Sequence, residues 1–163
     1  MLEFFYPAHY EIGTALEDVL RSDLLSRQQA ASLWLIRSQG IGGCQMRRKD
    51  IEANIRRWFE VTSAAVSRAL REMMRPPIEF IEITEDPNSG REKLVSLTPK
   101  GKAYLDSVAE RATTVLADLI EDISPQLVAS AISYLGQLTS AFRRSKTRSR
   151  IRLVRPNQGS VKG

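Results

Sequence analysis

The sequence predicts a mainly α-helical fold that contains one small β-hairpin. Three observations support this prediction. Apolar residues recur at helical spacing before and after the middle of the chain. Two runs rich in β-branched and aromatic residues, IEFIEI (78–83) and REKLVSL (91–97), flank the polar turn TEDPNSG (84–90). Capping and helix-breaking residues separate the helical runs, so the predicted order is α-α-α-α-β-β-α-α.

Four helices are predicted before the hairpin. Ser26 is a suitable N-cap for the second helix, and Gly40 ends it by opening a glycine-rich loop at 40–44. Thr62 is a suitable N-cap for the fourth helix, which ends at Pro76-Pro77 because proline donates no backbone hydrogen bond. The predicted ranges are 5–21, 26–39, 48–59 and a helix from Thr62 to the proline pair.

Two further helices are predicted after the hairpin. The first begins at Thr98-Pro99 and the second at Ser124-Pro125, since a proline at the first helical position forfeits no intrahelical hydrogen bond. Apolar residues continue at helical spacing along both segments. In the earlier helices, Trp34 and Trp58 fall at helical spacing with other apolar residues, so both are predicted to lie in the core.

The composition is typical of a globular chain. Its 163 residues are 42% hydrophobic and 26% charged, which suits one ordinary domain. No apolar run approaches the roughly 18–20 residues that span a bilayer, and the N-terminal segment lacks the basic and apolar regions of a signal peptide. We therefore expect a cytoplasmic protein that does not associate with membranes.

Catalytic and metal-binding chemistry are not indicated. The single cysteine, Cys44, excludes an intramolecular disulfide, and one cysteine with one histidine, His9, argues against a His/Cys metal site. Cys44 is interpreted as an unreactive thiol. The sequence contains no recognisable nucleophile with its base, metal-ligand set or phosphate-binding loop. We therefore expect neither enzyme activity nor a cofactor.

Positive charge is concentrated in two regions. The chain has a net charge of +5, but the eight bases after residue 141 leave residues 1–141 at −3 when they are set aside. Within that part, residues 43–75 carry eight bases against four acids. Because binding to phosphates requires bases clustered on one surface, this middle region indicates a nucleic-acid partner more strongly than the net charge does.

Two short helices followed directly by a hairpin describe a winged helix-turn-helix, in which the second helix enters the major groove of duplex DNA. Arg68 is predicted to reach a guanine edge or a phosphate, and Arg71 a phosphate. Arg91 in the wing suits the narrow, negative minor groove. The basic residues at 47–49 oppose the dipole of the helix that follows, which suggests a phosphate role. The predicted DNA-binding residues are Arg47, Arg48, Lys49, Thr62, Ser63, Ala64, Ser67, Arg68, Arg71, Arg91 and Lys93.

The runs EVTSAAVSRALREM and EDPNSGREKLVSLTPKGKAYLDSV resemble the MarR family of bacterial winged-helix transcription regulators. Asp86 and Arg91 occupy the family's wing positions, and Leu97-Thr98-Pro99-Lys100-Gly101 matches the motif that opens its long dimerisation helix. The resemblance covers about residues 5–142 in element order and is specific at 61–105. It implies a homodimer, joined by the first and the last two helices, that reads an inverted repeat.

The sequence departs from the family's pattern at four places. The segment RRWF (56–59) reads as an extra helical turn, and Pro76-Pro77 replaces a glycine-containing turn. The wing lacks the usual second arginine near Asp86, so the bracing of its tip is expected to be weak. The basic tail after Arg143 is not a family feature, and it is interpreted either as a solvated extension or as extra phosphate contacts.

The resemblance also implies an effector, and together with the charge distribution it predicts a division of the chain. A small aromatic or lipophilic effector would lie in a cleft between the dimer arms and the DNA-binding lobe. Its candidate contacts are Tyr6, His9, Tyr10, Trp34 and Arg37. The predicted segments are an N-terminal dimerisation arm (1–25), a winged helix lobe (26–101), C-terminal dimerisation helices (102–144) and a flexible basic tail (145–163).

Three functions follow from these observations. The leading one is a sequence-specific transcription regulator, a repressor rather than an activator, associated with the bacterial nucleoid. The second is an architectural or replication-associated protein that binds DNA non-specifically through the winged helix and the basic tail. The third is a winged helix used as a protein-interaction module.

Overall fold

The computed structural model describes residues 2–87 and 89–147. The chain divides into two compact units, of which the first ends at Leu116 and the second begins at Ala117. No described helix is long and apolar enough to cross a membrane. The helices are α1 (Leu2–Pro7), a π-helix (Ala8–Gly13), α2 (Thr14–Arg21), α3 (Arg27–Gln39), α4 (Arg48–Phe59), α5 (Ser63–Met73), α6 (Pro99–Leu119) and α7 (Pro125–Thr147). The strands are β1 (Gln45–Arg47), β2 (Ile81–Asp86) and β3 (Ser89–Leu97).

The N-terminal helix predicted over 5–21 is interrupted. A π-helical segment at Ala8–Gly13 separates α1 from α2, directly after Pro7, which has no N–H to donate to the preceding turn. The left-handed conformation of Ser22 (φ 51°) ends α2, and its N–H donates to the Asp18 carbonyl. The prediction of one continuous helix was therefore wrong in its interior but correct in its end point.

The next three helices begin where the sequence predicts, but α5 ends at Met73, three residues before the proline pair at 76–77 that was expected to end it. Ser26 forms a capping box with Gln29, whose side chain in turn accepts from the Ser26 N–H at 2.8 Å. Thr62 Oγ1 accepts from the Ala65 N–H at 3.2 Å and begins α5. Between them, α4 ends at Glu60 in the left-handed conformation (φ 52°), which separates it sharply from α5.

The sheet has three antiparallel strands in the order β1-β3-β2. Strand β1 was not predicted, because three residues show no alternation and its partner lies about 50 positions further along the chain. Its Met46 pairs with Val95 of β3 and is buried. Strand β2 begins at Ile81 rather than at residue 78, since Glu79 takes a left-handed conformation (φ 53°) that keeps 78–80 out of the ladder.

The core of the first unit lies between α3, α4, α5, the sheet and the start of α6. Its fully buried side chains include Leu33, Ile36, Ile51, Ile55, Leu70, Met73, Val95 and Leu105. Trp34 packs against this core, as predicted. Trp58 does not, because it is 47% exposed near the end of α4. Phe59, the next residue of the extra turn, does pack against the core, so Trp58 is exposed because of its direction around α4.

Gly101 fixes the start of α6 against the strand-entry segment. A Cβ at this position would overlap the carbonyl oxygen of Phe80. The same junction is held by Thr98, whose Oγ1 donates to the Glu79 carbonyl at 2.7 Å and accepts from the Gly101 N–H at 3.0 Å. The motif at 97–101 therefore anchors the sheet to the long helix.

Candidate nucleic-acid interface

Helix α5 presents a short polar face to solvent. Its apolar residues Val66, Ala69, Leu70 and Met73 are buried in the core. Ser63, Ala64, Arg68 and Arg71 are exposed, and Ser67 is half-buried. The face predicted to read DNA thus points away from the core, and the small side chains in its first turn leave its backbone accessible.

Two connections hold α5 against neighbouring parts of the domain. The Gln29 Nε2 of α3 donates to the Glu72 carboxylate of α5 at 2.9 Å. Gln29 is buried, and its Oε1 is already occupied by the Ser26 cap, so one side chain links the start of α3 to the end of α5. At the other end, Val61 packs against the core next to the Thr62 cap.

The wing consists of β2, β3 and the turn between them. Arg91 and Lys93 on β3 are exposed, as a role at a DNA surface requires. The pairing of β2 with β3 changes register between Glu85 and Asp86, at the base of the tip. Asp86 itself is buried there, with only 6% of its side chain exposed.

Arg47 braces the wing from β1. Its Nε lies 3.3 Å from Asp86 Oδ2 and 3.2 Å from Glu92 Oε2, so one guanidinium joins β1 to both strands of the hairpin. The expectation that the wing would be weakly braced, since no second arginine lies near Asp86 in sequence, was therefore wrong. The bracing arginine comes from a strand that the sequence did not reveal.

The neighbouring bases are also held by protein groups. Arg48 Nη2 donates to Ser67 Oγ of α5 at 2.6 Å, and Lys49 forms an ion pair with Glu92. Glu92, which sequence reasoning missed, therefore pairs with two of the three basic residues at 47–49, Arg47 and Lys49. Its signal was an acid lying between Arg91 and Lys93 on a strand, where alternation turns it to the opposite face.

A groove of about 350 Å³ runs between α4, α5 and the wing. It brings together Arg48, Ser67, Arg71 and Lys93 of the predicted set, over an apolar floor that includes Leu70 and Ile83. Three cationic side chains around one groove suit a chain of phosphates, because each can pair with a separate phosphate oxygen.

The predicted effector contacts form two groups. Tyr6 stacks on Tyr10 with ring centroids 5.9 Å apart, and His9 meets Tyr10 edge-on at 4.8 Å, all on the N-terminal helical segment. Arg37 lies 5.6 Å from the ring centroid of Trp34 and pairs with Asp106 at 2.6 Å. A separate pocket at α2, α3 and the end of α4 includes Trp34 but none of the other four residues.

The described part of the chain contains no cluster of three or more His, Cys, Asp or Glu side chains that could hold a metal ion. Cys44 is half-buried in the loop before β1, where its Sγ lies 3.6 Å from the Ile41 carbonyl oxygen. The predicted basic tail lies largely beyond residue 147, outside the described residues.

Comparison with known proteins agrees with this geometry. The family model described as a winged helix DNA-binding domain matches residues 25–101. The MarR family transcription regulator SP03579 is 20% identical, with 90% of each chain covered and a TM-score of 0.65. Wild-type apo MarR from E. coli is 17% identical over 85% of this chain and 95% of its own (TM-score 0.61). Regulator Tm0710 from Thermotoga maritima is 19% identical over 89% and 98% (TM-score 0.57). A search of curated protein sequences gave no match.

Residues 25–101 therefore form a winged helix domain of the DNA-binding class. The described chain has the fold of MarR-type transcription regulators, so the predicted fold class is confirmed, and the predicted resemblance to that family is confirmed at the level of the fold. The prediction that the chain is not an enzyme agrees with the same match, since the matched family is described by DNA binding and not by a catalytic activity.

Proposed function

We propose that this chain is a sequence-specific transcription repressor that binds an inverted repeat in duplex DNA as a homodimer. The observation that supports this best is the exposed polar face of α5, which lies beside an exposed basic wing in a winged helix domain. A helix of this kind enters the major groove with its N-terminal residues toward the bases. Occupying a promoter in this way blocks transcription without any catalytic step.

The contacts divide by chemistry. Arg68 is the residue that reads a base edge, because it is exposed in the second turn of α5 behind three small side chains. Arg48, Arg71 and Lys93 bind phosphates from the shared groove. Arg91 enters the minor groove from the wing. The small side chains at the start of α5 allow close approach to the DNA backbone; these are Thr62, Ser63, Ala64 and Ser67. Arg47 and Lys49 form ion pairs with Glu92 and also add positive potential at this surface.

The proposed homodimer is supported by the apolar surface of α7. Along this helix Leu127, Ile132, Tyr134, Leu135, Leu138 and Phe142 are each more than half exposed in the single chain. Six exposed apolar side chains along one helix are typical of an interface between chains. Because a two-fold dimer presents two α5 helices related by symmetry, it reads two half-sites about one helical turn apart.

A small aromatic or lipophilic effector would control the repressor. The aromatic group Tyr6, His9 and Tyr10 and the pair Trp34 and Arg37 remain candidates for its contacts. We place the protein in the bacterial cytoplasm, on the nucleoid. The four-segment division of the chain, with a dimerisation arm at 1–25, a lobe at 26–101, dimerisation helices at 102–144 and a tail at 145–163, is part of the same proposal.

Selection of binding sites from a random duplex library tests the function. The intact chain should enrich one inverted repeat at moderate salt. Arg68→Ala should lose about 10–100-fold of its preference for that site, because one bidentate base contact contributes about 1–3 kcal/mol of discrimination. Arg111→Ala, which removes an exposed base from α6, is the charge-matched control and should keep the preference. Selection without any enriched motif would contradict the proposal.

The second candidate, non-specific binding as an architectural or replication-associated protein, is favoured by one observation. All eight charged residues after residue 141 are basic. If this segment supplied most of the contacts to DNA, deleting residues 145–163 would abolish binding to any duplex. The repressor proposal instead predicts weaker overall binding with the sequence preference retained.

A further inference from the structure

Glu92 of β3 is surrounded by basic residues. In the sequence it separates Arg91 from Lys93, and in the fold its carboxylate forms ion pairs with Arg47 and Lys49. A carboxylate that pairs with two cations weakens their attraction for any other anion nearby. Glu92 therefore reduces the positive potential that Arg47 and Lys49 add at the surface that faces DNA.

The Glu92 carboxylate is held in place, whereas the Lys49 ammonium is free to move. Only 24% of the Glu92 side chain is exposed, and its Oε2 is shielded from solvent at 3.2 Å from Arg47 Nε. Arg47 is itself anchored by the buried Asp86 at 3.3 Å. Lys49, by contrast, has a side chain that is 57% exposed. The negative charge of Glu92 therefore stays at this surface when DNA arrives.

The pair of Lys49 and Glu92 lies beside the groove between α4, α5 and the wing. Arg48 and Lys93, which line that groove, are their immediate neighbours in the sequence. Because consecutive Cα atoms are only about 3.8 Å apart, a released Lys49 ammonium is within reach of a phosphate along the groove. To gain that contact, a phosphate must separate Lys49 from Glu92 or lie next to a fixed carboxylate. The first loses an ion pair, and the second places like charges side by side.

We propose that Glu92 is an intramolecular competitor of DNA phosphate, which holds Lys49 and thereby limits sequence-independent binding. The inference rests on the proposed function only for DNA binding itself, not for the inverted repeat or for repression. Its consequence is greater specificity. A genome offers a large excess of random sites, so each cation withheld from phosphates keeps more of the protein available for a preferred site.

Binding of random-sequence duplexes at different salt concentrations tests the proposal. Glu92→Gln keeps the shape of the side chain but removes its charge, so Lys49 becomes available for one phosphate. Each phosphate neutralised steepens the slope of log affinity against log salt by about 0.9, which corresponds to about 5–10-fold tighter binding at about 0.1 M salt. We expect both changes in fluorescence anisotropy titrations between about 50 and 200 mM salt. An affinity and a slope no greater than those of the wild type would overturn the proposal.

Two comparisons separate the release of Lys49 from other effects of the substitution. Glu82 of β2 is exposed and forms no ion pair with a described residue. Glu82→Gln therefore changes the net charge equally but should alter affinity by less than about twofold. Lys49→Met should weaken binding at least about fourfold more in the Glu92→Gln protein than in the wild type. Equal losses in the two backgrounds, or equal gains from Glu82→Gln and Glu92→Gln, would overturn the proposal.

A measurement on the wild-type chain gives a second test if Glu92→Gln fails to fold. Nuclear magnetic resonance follows the ammonium groups of individual lysines while random-sequence duplex is added. The Lys93 signal should shift as this residue binds phosphate, and the Lys49 signal should shift less because Glu92 still holds it. Equal shifts of the two signals would overturn the proposal.

Binding-site selection separates this inference from the proposed function. If the chain enriches an inverted repeat but Glu92→Gln leaves the binding of random-sequence duplexes unchanged, the role of Glu92 alone is refuted. If the chain enriches no motif but Glu92→Gln strengthens the binding of random-sequence duplexes as expected, the repressor is refuted and the role of Glu92 stands.

Discussion

Replacing Arg47 by methionine is expected to destabilise the wing without removing any apolar packing. Methionine retains the unbranched stem of arginine but not its guanidinium. The substitution therefore breaks two contacts, at 3.3 Å to Asp86 Oδ2 and at 3.2 Å to Glu92 Oε2. Asp86, 6% exposed, then loses a counter-charge in a site from which water is largely excluded.

The expected loss of unfolding free energy follows from the unequal exposure of Arg47 and Asp86. Removing one partner of a fully buried ion pair costs about 3–5 kcal/mol, whereas a fully exposed pair contributes about 0–1 kcal/mol. Arg47 is 43% exposed while Asp86 is buried, so the bond lies between these limits. We expect Arg47→Met to lower the free energy of unfolding by about 1–2 kcal/mol.

Urea denaturation followed by circular dichroism measures this change. With a slope of about 2 kcal/mol per molar, the midpoint should fall by about 0.5–1 M. Lys102→Met is the matched control, since it removes an exposed positive charge from α6 and should change stability by less than about 0.5 kcal/mol. Equal midpoints for Arg47→Met and Lys102→Met would refute the bracing role and return Arg47 to the phosphate-binding set.

Three further predictions concern the supports of the domain. Burial raises the pKa of Tyr104 above 10.0, so its contribution to stability is complete below pH 10 and is lost as the pH rises through the raised pKa. Urea denaturation should give Tyr104→Phe a free energy of unfolding about 1 kcal/mol below that of the wild type at pH 8. This difference in free energy should narrow above pH 10, and a difference that stays constant would contradict the prediction. Gln29→Met removes the bond to Glu72 and the cap contact, and should cost about 1–2 kcal/mol in the same assay, whereas an unchanged midpoint would mean that α5 is held by packing alone. Gly101→Ala drives a methyl group into the Phe80 carbonyl, and its thermal unfolding should report a loss of about 2–3 kcal/mol, so wild-type stability would show that this junction yields.

The sequence was sufficient where structure is local. Ser26 and Thr62 act as N-caps within a few residues, so the starts of α3 and α5 were predicted correctly. The polar face of α5 followed from spacing in the same way, because the 3.6-residue period decides which side chains meet the core. The wing followed from β-rich runs around a polar turn, although β2 lies three residues later than predicted and β3 begins two residues earlier.

The features that sequence reasoning missed depend on residues distant in the chain. Strand β1 exists because Gln45–Arg47 pair with β3, and no local pattern in three residues reveals such a partner. The wing brace depends on this pairing, since it places Arg47 beside Asp86. Trp58 was assigned to the core because positions three and four residues after Ile55 both fit the helical period, whereas the structure turns only Phe59 of this pair toward the core.

Binding-site selection with the intact chain and with Arg68→Ala tests the central claim most directly. The account predicts one enriched inverted repeat for the intact chain at moderate salt. It also predicts that the mutant still binds duplex DNA but discriminates about 10–100-fold less at one base pair of each half-site. Identical motifs from both proteins, or no motif from either, would contradict the claim that α5 reads DNA sequence.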